Sequence, residues 1–70
     1  MYKINKNSIQ NARLNAGLGI TEVANKTGIP RVTIYRLENG LTIKPRADTL
    51  QKLATVYNKR VTDFIEGGDA

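Results

Sequence analysis

The chain contains no cysteine, no histidine and no tryptophan. Without cysteine no disulfide forms, and without cysteine or histidine the usual zinc sites are excluded. The same absences remove the commonest nucleophile and the commonest general base of enzymes. The six carboxylates are scattered, and no glycine-rich loop follows a strand to cradle phosphate. Neither catalysis nor a cofactor is expected. Apolar runs are far too short to span a bilayer, and the opening "MYKINKNS" lacks the apolar core of a signal peptide. A domain this small without disulfides fits a reducing compartment, and a cytoplasmic protein is expected. Aromatic residues number four, three Tyr and one Phe, too few to suggest a stacking platform for RNA.

What the chain has is positive charge. Its 70 residues carry a formal net charge of +5. All eleven basic residues and only three of the six acidic ones fall in residues 1–60, which therefore carry +8. A basic body points to a polyanionic partner, although solubility charge alone produces such an excess often enough. The length fits one domain, which buries only about 60% of its unfolded surface. Residues 1–66 are read as that domain and residues 67–70, "GGDA", as a flexible tail.

Periodicity predicts five short helices and no strand. Asn7-Ser8-Ile9-Gln10 resembles a capping box with Asn7 as N-cap. It opens a helix from Ser8 to Ala16, with Ile9, Ala12, Arg13 and Ala16 on one stripe and Gly17 ending it. A second helix covers Ile20 to Thr27, with Ile20, Val23, Ala24 and Thr27 inward, and ends at Gly28. Pro30 suits the first turn of a third helix, which ends at Asn39-Gly40. "LTIKPR" is a loop closed by Pro45. A fourth helix runs from Ala47 to Tyr57 with Leu50, Leu53, Ala54 and Tyr57 inward, and Asn58 is its left-handed cap. Val61 to Ile65 makes the last short helix. Tyr2 and Ile4 are read as a staple onto the first helix or as an ordered arm.

The third helix carries the signal. At about 100° per residue, Ile34 and Leu37 share one side with Thr33 beside them, while Arg31, Val32, Tyr35 and Arg36 share the other. The preceding helix is about two turns long, and Gly28 permits a tight turn, so the pair reads as a helix-turn-helix. In that unit the later helix enters the major groove of DNA. Arginine donates twice to guanine, valine rests on a thymine methyl, and tyrosine reaches phosphate or sugar. A solvated face that happens to carry arginines is the plainer reading of the helix alone; the short helix and glycine turn before it favour DNA. Arg13 lies on the inward stripe of its helix and Glu38 lies next to Ile34, so both charges are placed towards the core, where they are paired, unless both are simply exposed.

From Ile9 to about Ile65 the sequence resembles the helix-turn-helix domains of lambdoid phage repressors and Cro proteins, also called the xenobiotic-response-element family. The resemblance rests on Arg13 with Gly17-Leu18, "EVANKTGI", "TIYRLENG", "KPR" and "LQKLATVYNKRVTDFI". It implies an all-α bundle of five short helices. It implies base readout by Arg31, Val32 and Arg36, with Tyr35 on the same face. It implies phosphate contacts at Gly19 and Ile20, near Asn39-Gly40, and through Lys44 and Arg46 of the loop. It also implies the structural pair Arg13–Glu38. Ile20 stands where many relatives carry glutamine; isoleucine cannot donate, so that contact is lost or becomes apolar packing. Lys3 and Lys6 fit a solvated face better than a phosphate contact, and Lys26 and Lys52 fit peripheral phosphate contacts.

Two functional readings follow. The first is a sequence-specific regulator, repressor-like or Cro-like, that binds double-stranded DNA as a homodimer at a near-palindrome in a bacterial cytoplasm or nucleoid. Lys59, Val61 and Phe64 are the expected dimer contact. The second is a protein-interaction module on the same scaffold, antitoxin-like or an adaptor, using Val32, Tyr35 and Ile20. No metal and no membrane partner is expected in either.

Overall fold

The computed structural model describes residues 3–41 and 45–66. Four α-helices, α1 (Lys6–Asn15), α2 (Ile20–Thr27), α3 (Arg31–Glu38) and α4 (Ala47–Tyr57), are followed by one 3₁₀ turn, Val61–Phe64. A two-stranded ladder joins the ends of this body. Strand β1 (Lys3–Ile4) runs antiparallel to β2 (Ile65–Glu66), with Lys3 opposite Glu66 and Ile4 opposite Ile65. Expectations for Tyr2, Lys44 and the tail 67–70 lie outside the described residues.

Three boundaries differ from those expected. Helix α1 starts two residues early, because Asn5 and not Asn7 is its N-cap: the Asn5 side chain accepts the Ser8 N–H at 3.1 Å. Asn5 is itself held by its own N–H, which donates to the Phe64 carbonyl at 2.8 Å. The long-range bond thus selects between two asparagines that are equivalent locally. Helix α1 also stops at Asn15, so Ala16 is its exposed C-cap and not part of the buried stripe. The fifth helix is a single 3₁₀ turn closed by Asp63 N–H to Arg60 O at 2.9 Å, and Ile65 leaves it to join β2. The ladder escaped the sequence reading because two residues are too short to show a period.

The remaining patterns place the core. Ile9 and Ala12 from α1, Val23 from α2, Ile34 and Leu37 from α3, and Leu50, Leu53, Ala54 and Tyr57 from α4 meet in one apolar cluster. Phe64 completes it, wholly buried, with its ring edge-on to Tyr57 at 6.4 Å between centroids and 81° between planes. All four expected inward positions of α4 are buried. In α2 only Val23 is fully so, while Ile20, Ala24 and Thr27 are half-buried. That difference puts one edge of α2 at the surface, beside α3.

Candidate nucleic-acid interface

The turn between α2 and α3 is built from local bonds. The Thr27 hydroxyl donates to the Val23 carbonyl at 2.7 Å and accepts the Ile29 N–H at 3.1 Å. Gly28 takes φ +78°, a left-handed conformation that side chains rarely adopt, and its N–H reaches the Ala24 carbonyl at 2.8 Å. Ile29 then drops into the core at 5% exposure. It is an anchor that the sequence reading missed; an apolar residue between Gly28 and Pro30 in a polar turn was its signal. Pro30 is the N-cap of α3, one position before the expected first turn, and its carbonyl accepts the N–H groups of Thr33 (3.0 Å) and Ile34 (3.3 Å).

Helix α3 divides as its periodicity requires. Ile34 and Leu37 are 0% and 1% exposed, whereas Val32 and Tyr35 are 50% and 52% exposed, and Arg31 and Arg36 are exposed with them. The four outward residues border two different hollows. Arg31, Val32 and Tyr35 join Ile20 of α2 around a shallow hollow. Arg36 lies in a different groove, between the starts of α3 and α4, with Thr33, Arg46, Asp48, Thr49 and Lys52. There the Arg46 guanidinium meets the Asp48 carboxylate at 3.6 Å, both side chains well exposed, a geometry worth little in water. The groove therefore gathers three cations against one carboxylate.

Behind α3 stands the expected ion pair. Arg13 Nε donates to Glu38 Oε2 at 2.7 Å and Arg13 Nη2 to Glu38 Oε1 at 2.9 Å, a bidentate fork. Arg13 Nη1 donates to the Leu18 carbonyl at 3.0 Å, which ties the α1–α2 connection to the same guanidinium. The side chains are 11% and 2% exposed. Hydrogen bonding to Glu38 raises the pKa of Arg13 from its ordinary value, against the opposing effect of burial. Tyr57 lies close to the pair, and its buried hydroxyl has no hydrogen-bond partner among the described residues. Burial pushes this phenol up to about 12, and the nearby Glu38 carboxylate adds to the rise. The orphan hydroxyl was not foreseen, since Tyr57 read simply as core.

Several expected phosphate and dimer positions look different in three dimensions. The Gly19 N–H already donates to Glu22 Oε1 at 2.9 Å, a contact that supports the start of α2 in place of a side-chain cap. The Asn39 N–H and its side-chain amide both donate to the Tyr35 carbonyl, at 3.0 and 2.8 Å. A cation stands there instead: a Cβ on Gly40 would lie 3.1 Å from Lys6 Cδ and 3.6 Å from Lys6 Nζ. Lys6, expected on a solvated face with a phosphate contact as the alternative, thus reaches the C-terminal end of α3. Phe64 cannot serve as a dimer contact, because its side chain is consumed by the core of its own chain. Lys59 is exposed and Val61 half-buried.

In the described residues no helix is long and apolar enough to cross a membrane. The model of a helix-turn-helix family matches residues 9–64, which take in all of α2, α3 and α4 and most of α1. No curated protein matches the chain.

Proposed function

Because the chain belongs to the lambda repressor/Cro-like helix-turn-helix family, a family of DNA-binding regulators, we propose that it is a repressor- or Cro-like transcriptional regulator with sequence-specific affinity for double-stranded DNA. The outer face of α3 carries this reading. A short rod, pinned from behind by Ile34, Leu37 and the Arg13–Glu38 fork, turns Arg31, Val32, Tyr35 and Arg36 outward. Laid in a major groove, Arg31 and Arg36 donate to guanine edges. Arg46, with Lys44 from the loop and Lys6 from α1, supplies phosphate contacts that set register without reading sequence. One such domain offers few base contacts, so it acts as a homodimer on a near-palindromic operator, with half-sites about one helical turn apart. The surface around Lys59 and Val61 is the dimer contact. Its place of action is the bacterial cytoplasm or nucleoid.

Selection of bound sequences from random duplex DNA at low salt tests this. Enrichment of a motif, with two inverted copies at fixed spacing, is the expected result; failure to enrich any sequence overturns it. The half-exposed Val32 and Tyr35 also fit a protein-interaction module on the same scaffold. Salt separates the two readings. DNA affinity falls steeply as counterions are released, whereas an apolar protein interface need not respond.

A further inference from the structure

Asn39 and Gly40 close α3, and of the seven asparagines in the chain only Asn39 precedes a glycine. An asparagine side chain can close a ring on the backbone nitrogen that follows it, and a following glycine, with no Cβ, leaves that nitrogen unshielded. Three observations favour this chemistry at the end of α3. Asn39 is exposed and lies just beyond the last helical residue, where a helix frays. The Gly40 N–H is loosely held: its bond to the Leu37 carbonyl, at 3.4 Å, is the longest of the turn and cap bonds among the described residues. Lys6 lies over Gly40, with Nζ 3.6 Å from the place a Cβ would take. Its positive charge favours the amide anion that attacks and the oxyanion that forms. We propose that Asn39–Gly40 is a self-modifying site, at which deamidation turns a neutral amide into a carboxylate at the end of α3. Closing the ring turns ψ of Asn39 away from its 9° and breaks the exposed side-chain bond to the Tyr35 carbonyl, so the reaction proceeds from the frayed helix end. The Gly40 nitrogen gives up its proton and bonds to Asn39 Cγ. The Cγ–Nδ2 bond breaks, and Nδ2 leaves as ammonia with that proton. One water then opens the succinimide ring at either carbonyl, giving aspartate or isoaspartate, and nothing is oxidised or reduced. The new carboxylate stands at the negative end of the α3 dipole and beside Lys6, whose charge it draws away from the DNA backbone. The chain thus carries a slow chemical switch that loosens its hold on DNA. That consequence, unlike the chemistry, rests on the DNA-binding reading above.

The experiment holds the full chain in mildly alkaline buffer and follows the tryptic peptide 37–46 by mass spectrometry, beside the peptides that carry the other asparagines. Peptide 37–46 is the first to gain the mass difference between an amide and an acid, ammonia appears in equal amount, and Lys6→Met slows the gain severalfold. Titrations with duplex DNA at several ionic strengths then read the consequence. The aged chain and Asn39→Asp both bind every sequence more weakly, with a salt slope shallower by about one unit per domain. No gain in peptide 37–46, under conditions that deamidate a free peptide of the same sequence, overturns the proposal. An equal rate in Lys6→Met overturns the part assigned to Lys6. A gain that leaves affinity and salt slope unchanged overturns the switch. A chain that selects no DNA sequence brings down the DNA-binding reading itself, while the mass gain still decides the modification.

Discussion

Arg13 and Arg31 carry the same guanidinium on helices that touch, yet the two sites have nothing else in common. Arg13 is nearly buried, and its fork is filled by Glu38 and the Leu18 carbonyl. Arg31 is exposed on the rim of an open hollow. The difference teaches that partner and burial, not residue type, assign the work of a cation here. Arg13 holds α3 in place, and Arg31 is what α3 holds out.

The comparison can be broken most forcefully at Glu38. Glu38→Ala leaves a buried guanidinium unpaired and lowers stability by about 3–5 kcal/mol in urea unfolding. Replacing both partners with Met and Leu costs far less, since no uncompensated charge remains. A single Glu38→Ala variant that unfolds like the parent would reduce the pair to an ordinary surface contact. Next in size is Arg31→Ala, which costs about 1–3 kcal/mol of binding at one base pair while stability changes by less than about 0.5 kcal/mol. Arg36 sharpens the same contrast, because it stands in the groove with Arg46 and Lys52. As a base reader its alanine variant relaxes specificity at one position; equal weakening on every sequence would move it to the phosphate set. Arg46→Ala weakens all sequences alike and makes the salt slope shallower by about one unit, read from titrations at several ionic strengths.

The smallest effect lies beside the buried pair. Tyr57→Phe removes an orphan hydroxyl and should be neutral or stabilising by up to about 1 kcal/mol. It also changes the response to alkali. The phenol titrates at about 12 when folded, against 10.0 for a free one, so the unfolded chain ionises first. Stability is whole below pH 10 and is lost as pH rises towards 12. That loss is reduced in the Phe variant, which urea unfolding at each pH checks.

Much of this molecule was legible in its residues. The four inward positions of α4, the turn at Gly28 and the divided face of α3 follow from spacing or turn chemistry, which act over a few residues, whereas the Arg13–Glu38 pairing was implied by the family resemblance, spacing placing only each partner inward. Those signals survive in the fold because they are local, and because a helical stripe has a single way to bury itself. The α1 start was misplaced because Asn5 and Asn7 are equal as local caps. Only the Asn5 bond to Phe64 distinguishes them, and it joins residues far apart in the chain.

By itself, then, the sequence determined helix faces, the positive-φ stops and the chemistry each face offers. Tertiary structure decided which outward residues stand together. Ile20 and Val32 belong to different helices, so no periodicity relates them, yet they line one hollow. Arg36 adjoins Arg31's helix face but shares its groove with α4. It also settled that Phe64 fills the core, that the Gly19 amide belongs to Glu22, and that Lys6 lies over Gly40. The physical reason is range: dihedral preference and amphipathic period are properties of neighbours along the chain, whereas a binding surface is made by helices that meet only after the core has closed.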